Sequence, residues 1–198
     1  MRLQDDLPRG ITVRGRFYKL DFDFRNVLRM MDILARDDLH PDAREYLAMK
    51  CFMRRPPKST AEALREVRAV LFPGAKKNAD KAKITDFVQD ADLIRAAFMQ
   101  TYGINLFRDR LHWLEFTALL SGIPEGNRYS DVLGIRSRPI PAPTKWNAEE
   151  RAWLIKAKAD LALHVTDAEA EVTLANSLRG VAESLLALAG TKGGVNHG

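Results

Sequence analysis

Two groups of side chains have the types and spacing that could bind a metal ion. Asp86, Asp90 and Asp92 bring carboxylates into one short stretch, and His112 and Glu115 lie one helical turn apart. A di-metal site on helices uses several such pairs, however, and the chain has 4 histidines. Carboxylates are also common at a helix N-terminus, which carries a partial positive charge. We therefore predict that no metal is bound and that His112 is partly buried and hydrogen-bonded to a neighbouring carbonyl.

Covalent and cofactor chemistry find no support in the sequence. The single cysteine, Cys51, cannot form an internal disulfide or a cysteine cluster for zinc. It is better interpreted as a small, buried apolar residue. There is no serine nucleophile elbow, no glycine-rich phosphate loop and no zinc-ligand spacing. We therefore predict a protein that needs no cofactor and is not an enzyme.

The composition is typical of a soluble globular protein. Of the 198 residues, 46% are hydrophobic and 29% are charged, which suits one domain of ordinary size. No apolar run approaches the ~20 residues of a membrane-spanning helix, and the polar start MRLQDDLPRG lacks the apolar segment of a secretory signal. We expect a cytoplasmic protein that is not associated with membranes.

The net charge of +5 and the isoelectric point near 9.4 raise the question of nucleic-acid binding. Lysines and arginines can neutralise phosphates and so drive such binding. Here they cluster only in residues 53–58 and 76–83, which we interpret as connections between helices, the second a mobile surface loop. Basic loops on a mildly basic protein are more often solvated surface, so the sequence disfavours nucleic acid as a partner.

The N-terminal residues predict a small β-hairpin followed by a helix. Short β-prone runs flank Arg14 and Gly15, and Gly15 can adopt the positive φ of a tight turn. From Asp23 onward the apolar period becomes helical. The predicted apolar face consists of Phe24, Val27, Leu28, Met31 and Leu34.

Two more helices follow before the lysine-rich segment. One opens at Pro41 and ends before the double proline at 56–57. The next opens with a capping-box pattern of Ser59 and Glu62. Their predicted apolar residues are Tyr46, Leu47 and Cys51 in the first, and Leu64, Val67 and Leu71 in the second.

The stretch from Asp92 to Gly122 predicts a helical hairpin with a break at Gly103. Leu93, Ile94, Ala97, Phe98, Thr101 and Tyr102 form the apolar face of its first helix, and Asp90, Asp92, Arg95 and Gln100 lie off it. The second helix is predicted from Arg108, with apolar residues on nearly every side, so we expect it to be central, with Trp113 as a core anchor. A helical turn at 129–133 and an extended linker at 137–146 follow.

The C-terminal part predicts two helices with capping patterns, Asn147 with Glu150 and Thr166 with Glu169. The first carries Trp153, Leu154 and Leu161. The last has an apolar seam suited to client binding or self-association: Leu174, Leu178, Val181, Leu185 and Leu188. We predict a mainly α fold, with one helical domain at residues 1–165 that includes the hairpin, and an appended amphipathic helix with a flexible tail at 166–198.

A family resemblance runs through the central stretch. The segments DFVQDADLIRAAFMQTYGINL and LHWLEFTALLSGIPEGNRYSDVLGIRSR resemble the core motif of the bacteriophage tail protein family known by its gene-product number, fifteen. Residues 23–25 (DFR) and the stretch ERAWLIKAKADLAL extend the similarity to about Leu163. The chain departs from the family at Arg95, Asn105 and Leu114. The motif core is Asp86, Phe87, Asp90, Phe98, Tyr102, Gly103, Leu111, His112, Trp113, Gly122 and Arg136.

The resemblance implies a tail assembly chaperone in the host cytoplasm. Such a protein would bind the long, helix-rich tape measure protein and keep it soluble until the major tail protein assembles around it. A helical protein with an apolar groove can hold such a client, and we expect a homo-oligomer. Two alternatives stay open: a structural tail component such as a connector subunit, and a basic nucleic-acid-binding phage protein.

Overall fold

The computed structural model of the protein describes residues 4–73 and 84–163. Strands β1 (Gly10–Val13) and β2 (Arg16–Lys19) pair as an antiparallel hairpin. The helices of this part of the chain are α1 (Phe24–Leu34), α2 (Pro41–Lys50), α3 (Thr60–Leu71), α4 (Ala91–Tyr102), α5 (Trp113–Ser121), α6 (Arg128–Ser137) and α7 (Ala148–Asp160). The mainly α fold with an N-terminal hairpin is confirmed. The loop at 76–83 and the helix predicted after Thr166 lie outside the described residues.

The hairpin turn uses two residues with positive φ. Arg14 has φ 49° and Gly15 has φ 76°, the combination that matches the twist of a two-residue hairpin. Ile11 and Val13 point inward and are buried. Gly10 is required by close packing, because a Cβ at this position would lie 2.1 Å from the Tyr18 carbonyl oxygen. The inner face of the hairpin packs on α3.

The core is centred on stacked aromatic rings. Phe116 of α5 stacks on Phe24 of α1 and on Phe98 of α4, with centroid distances of 4.6 and 5.2 Å. Trp113 lies 5.8 Å from Phe116, and its Nε1–H donates to the Leu71 carbonyl at 3.2 Å. Trp113 is buried, as the sequence predicts. These rings connect the end of α3 with α1, α4 and α5.

Backbone hydrogen bonds join the starts of α1 and α5. Asp23 and His112 form an isolated antiparallel bridge, in which the Phe24 N–H donates to the Leu111 carbonyl at 3.0 Å. A second bond runs from the Trp113 N–H to the carbonyl of the residue before Asp23, at 2.8 Å. The central stretch is therefore fixed to the N-terminal segment by its backbone as well as by its rings.

The helix predicted from Arg108 begins instead at Trp113. Residues 105–109 form a turn, in which the Asn105 N–H donates to the Asp109 carboxylate at 2.7 Å. His112 then caps α5, because its Nδ1 accepts the N–H of the second helical residue at 3.1 Å. Hydrogen bonds between these polar side chains and the nearby backbone therefore hold residues 105–109 in a turn, and α5 begins only after His112.

Helix α6 is longer than the turn predicted at 129–133. A capping box starts it: the Asn127 Oδ1 accepts the Tyr129 N–H at 3.0 Å, and the Ser130 Oγ accepts the Asn127 N–H at 3.3 Å. Gly134, which weakens the helical pattern in the sequence, lies inside the helix. Two backbone N–H groups at the start of α6 are therefore hydrogen-bonded, which stabilises a helix longer than the sequence pattern suggests.

The capping hydrogen bonds predicted for Ser59 and Asn147 are wrong. Both residues do precede helices, but neither side chain accepts a capping hydrogen bond. Glu62, the predicted partner of Ser59, pairs with Arg14 of the hairpin at 2.8 Å. Asn147 closes a turn within the preceding linker. A cation on the hairpin thus engages Glu62, and a turn in the linker engages Asn147.

Four side chains predicted to lie on apolar faces are exposed: Tyr46 and Leu47 on α2, Met31 on α1 and Trp153 on α7. Ala48, Met49 and Met30 are buried instead, whereas Leu154 is buried as predicted. Helix α2 packs between α1 and α3, and the direction of that contact selects the buried face. In the described part of the chain, no helix combines the length and apolar character needed to cross a bilayer.

Candidate functional site

Asp90 and Arg136 of the motif form a buried ion pair between α4 and α6. Arg136 Nη1 lies 2.7 Å from Asp90 Oδ2, and Nη2 lies 2.9 Å from Oδ1. The Arg136 side chain is 8% exposed and the Asp90 side chain is 1% exposed. Burial raises the pKa of the Asp90 carboxyl, but hydrogen bonds from Arg136 and the Asp86 N–H outweigh it, so this pKa lies below its usual value. The placement of Asp90 off the buried face of α4 is therefore wrong.

The other donors of Arg136 hold backbone from two more segments. Its Nε–H donates to the Leu161 carbonyl at 2.7 Å, and Nη1 also donates to the Ile84 carbonyl at 3.1 Å. The Lys158 ammonium donates to the Arg136 carbonyl at 2.5 Å. Arg136 thereby connects the segment before α4 with α6 and with the end of α7. These contacts are structural, since they use every nitrogen of the guanidinium.

The carboxylates grouped by the metal interpretation bond to different partners. Asp86 Oδ1 accepts the N–H groups of Val88 and Gln89 at 2.8 and 2.9 Å, which shapes the turn before α4. Asp92 pairs with Arg95 on the surface at 2.8 Å. Among the residues that the structure describes, no three His, Cys, Asp or Glu side chains are placed to hold a metal ion.

Both ring nitrogens of His112 are engaged. Because Nδ1 accepts a backbone N–H at the start of α5, the proton lies on Nε2, which donates to the Pro8 carbonyl at 3.0 Å. The predicted bond to a carbonyl is thus present, but the carbonyl belongs to the N-terminal segment. Glu115 is exposed. His112 fixes the chain before β1 to the start of α5.

The motif residues at the helix ends shape the α4–α5 connection. Gly103 ends α4 with φ 69°, as predicted for a left-handed residue. The Tyr102 hydroxyl donates to the Leu119 carbonyl at 2.8 Å. A Cβ on Gly122 would lie 3.0 Å from that hydroxyl, so glycine permits the contact. Phe98, Leu111 and Trp113 are core residues, and Phe87 packs against Trp113.

An open groove lies between α1 and α4, which we call the α1–α4 groove. Its cavity volume is about 250 Å³. Phe24, Ile94 and Phe116 form a buried apolar floor, and Leu28 adds to it from α1. Phe107 stands at the edge with 70% of its surface exposed. The uncovered apolar surface at the groove is therefore mainly the Phe107 ring, since the three floor residues are at most 6% exposed.

Arginines position and border the α1–α4 groove. Arg25 donates to the carbonyls of Leu106 and Asp109 at 2.8 Å each, which fixes the turn that carries Phe107. The Arg95 guanidinium lies over the Phe107 ring, 4.4 Å from its centroid. Arg29 also lines the groove. Asp32 lines the groove as well, and Arg95 pairs with Asp92, so the rim carries charges of both signs.

Sequence reasoning did not find this groove. Phe107 lies just before the helix predicted from Arg108 and received no role, although the polar residues Asn105 and Asp109 around it are turn signals. The floor depends on three helices meeting, which a local pattern does not contain. The predicted client or self-association residues Leu174, Leu178, Val181, Leu185 and Leu188 lie outside the described residues.

The sequence matches the family model described as Bacteriophage Gp15 protein over residues 3–163. The chain belongs to this bacteriophage family. The Gp15 match includes every motif core residue and the whole α1–α4 groove, and it ends before the C-terminal seam. No curated protein and no solved structure shows a significant match. Membership makes the chain a phage structural or morphogenesis protein.

One departure from the Gp15 pattern can be assessed in the structure. Asn105 stands where Asp is usual in the resembling motif. The Asn105 Oδ1 accepts the Phe107 N–H at 3.0 Å, which is the bond that a carboxylate oxygen would accept. The substitution therefore keeps the turn that presents Phe107 to the groove.

Proposed function

We propose that this Gp15 protein is a tail assembly chaperone that binds an amphipathic helix of the tape measure protein in the α1–α4 groove. The observation that carries the proposal is the exposed ring of Phe107 at the edge of the groove, beside an almost fully buried apolar floor of Phe24, Ile94 and Phe116. Exposed apolar surface of this kind is typical of interaction sites. Family membership supports a role in phage structure or morphogenesis.

The shape of the groove suits one face of a helix. A helix presents apolar residues at spacings of three and four, and its anchors could sit on the floor and against Phe107. Each well-buried anchor contributes about 1.5–3 kcal/mol. Arg29 and Asp32 on the rim can pair with charged residues beside the apolar face of a client helix.

The proposed cycle is physical. The protein covers a tape measure helix in the host cytoplasm, and the major tail protein displaces it as the tube assembles. Non-covalent capture and release of this kind require no enzymatic step and no cofactor. Reversible binding by a few anchors allows such exchange, since affinity is adjusted mainly through the dissociation rate.

The test uses two exposed phenylalanines as a matched pair. Phe107→Ser removes the ring at the groove, and Phe17→Ser removes a ring that is 60% exposed on β2. We expect Phe107→Ser to weaken binding of a tape measure helix by roughly 10- to 100-fold, from the lost burial of one phenylalanine. Phe17→Ser should bind like the original protein. Titration calorimetry and co-expression with the tape measure protein measure both effects.

Three outcomes would replace this proposal. Equal binding by the two variants would exclude the α1–α4 groove. Retention of the protein in purified virions would favour the structural tail component. Binding of DNA with a steep dependence on salt, without binding of the helix, would favour the nucleic-acid alternative.

A further inference from the structure

A basic cleft lies between α2 and α3. Its cavity volume is about 340 Å³, and Arg44, Arg65 and Arg68 line it. Glu45 also lines the cleft and offsets one of these positive charges. Leu64 provides an apolar wall. We call this surface the arginine cleft.

An acidic cleft lies between α6 and α7. Its cavity volume is about 520 Å³, and Glu125 and Asp131 line it together with Trp153, which is 55% exposed. Gly134 contributes no side chain, and a Cβ there would meet no atom within 4 Å. Arg138 also lines the cleft, but it pairs with Glu150 at 2.5 Å. We call this surface the acidic cleft.

Two arginines in one cleft and two carboxylates in the other are without side-chain partners in the described part of the chain, whereas Arg44 pairs with Asp37 and Arg138 with Glu150. Arg65 and Arg68 make no side-chain hydrogen bond or ion pair there, and neither do Glu125 and Asp131. Exposed charges elsewhere are either paired, as Arg14 is with Glu62, or unpaired, as Arg54 and Arg55 are in the described part of the chain. What distinguishes the two clefts is that unpaired charges of one sign are clustered in each of them. Two uncompensated patches of opposite sign therefore remain.

The two clefts lie at the two ends of the helix series. Packing contacts run from α3 through α2, α1, α5 and α4 to α6 and α7. The arginine cleft belongs to the first pair and the acidic cleft to the last, so the two clefts are built on separate helices of the described part of the chain. A second copy carries both surfaces.

We propose that copies of this protein associate head to tail, with the arginine cleft of one copy docked on the acidic cleft of the next. Arg65 and Arg68 would pair with Glu125 and Asp131, and a guanidinium would stack on the Trp153 ring. This contact is heterologous, so repetition closes a ring or extends a filament. Nucleic acid would account for the arginine cleft alone, whereas a second copy accounts for both surfaces.

Charge reversal at each end provides the test. The full chain is prepared as Arg65→Glu/Arg68→Glu and as Glu125→Arg/Asp131→Arg, and association is measured by sedimentation velocity. We expect each double variant alone to associate at least ~10-fold more weakly, because like charges face each other. An equimolar mixture should restore assembly, since every contact then joins opposite charges. Added salt should weaken the original association.

A matched control reverses two arginines outside both clefts. Arg54→Glu/Arg55→Glu changes the net charge equally, and both residues are exposed. It should assemble like the original protein. Circular dichroism checks that each variant is folded, and Arg65→Gln/Arg68→Gln repeats the comparison with a milder change.

Specific outcomes overturn the proposal. The original chain could remain monomeric at every concentration, the double variants could assemble normally, or their mixture could fail to recover. Loss of DNA binding in Arg65→Glu/Arg68→Glu with unchanged assembly would assign the arginine cleft to nucleic acid. The proposal does not depend on the α1–α4 groove, since Phe107→Ser tests client binding without altering either cleft.

Discussion

Two regions of the described fold are stabilised in different ways. One is the hairpin with α1–α3, which we call the apolar half, and the other is α6 with α7, which we call the polar half. In the hairpin and α1–α3, apolar side chains fill the interior and ion pairs such as Arg36–Asp38 lie on the surface, while the buried Asp23 carboxylate pairs with the half-buried Arg25 at the start of α1. In α6 and α7, few apolar residues are buried, among them Tyr129 and Leu154, and the buried pair of Asp90 and Arg136 holds the helices together. Where apolar burial is scarce, a satisfied polar network determines how the helices are arranged.

The largest expected effect comes from the ring that joins the halves. Trp113→Ala removes contacts to Phe116 and Phe87 and the hydrogen bond to Leu71. We expect a loss of about 3–5 kcal/mol in the free energy of unfolding, measured by urea denaturation. An unchanged denaturation curve would show that Trp113 contributes little to the core.

A slightly smaller loss in the free energy of unfolding is expected when the buried ion pair of the polar half is broken. Arg136→Ala leaves the Asp90 carboxylate buried without its partner, and we expect a cost of about 3 kcal/mol. Arg138→Ala is the control, because its pair with Glu150 is exposed and should contribute at most ~1 kcal/mol. Similar losses in the two variants would contradict the special role of the buried pair.

The smallest expected effect is a difference in how stability depends on pH. The pKa of Asp90 is lowered in the folded protein, so its stabilisation is fully present above the unfolded pKa of about 3.9 and is lost as pH falls through the lower folded pKa. We therefore expect Asp90→Asn to be less stable at neutral pH, with a shallower decline below about pH 4. Asp38→Asn, an exposed change, should keep most of the acid dependence of the original chain. Thermal melting across this pH range measures both.

Features set by neighbouring residues were the more predictable ones. The turn at Gly15, the buried positions of Phe24 and Val27 on α1 and the stop at Gly103 follow from local backbone and apolar patterns. The buried position of Asp90 could not be predicted this way, because its partner is distant in the sequence and a carboxylate is assigned to the surface by default. Family resemblance marked both residues without revealing that they touch.

The candidate site was predictable only in part. A basic chain with an apolar helical surface was expected, and Phe107 stands in a segment whose polar neighbours signal a turn. The floor of the α1–α4 groove arises when α1, α4 and α5 meet, which depends on long-range packing. The same holds for Tyr46 and Leu47, whose exposure is decided by the helices on either side of α2.

The backbone bridge between Asp23 and His112 has a consequence for the order of folding. It closes a long loop, and Trp113 completes the packing at the end of α3. During synthesis, the hairpin and α1–α3 leave the ribosome well before α5 does, and non-local contacts of this kind are slow to form. We expect the N-terminal half to remain a partly folded nascent chain, with Phe24 and Leu71 unprotected, until the residues around Trp113 have been translated.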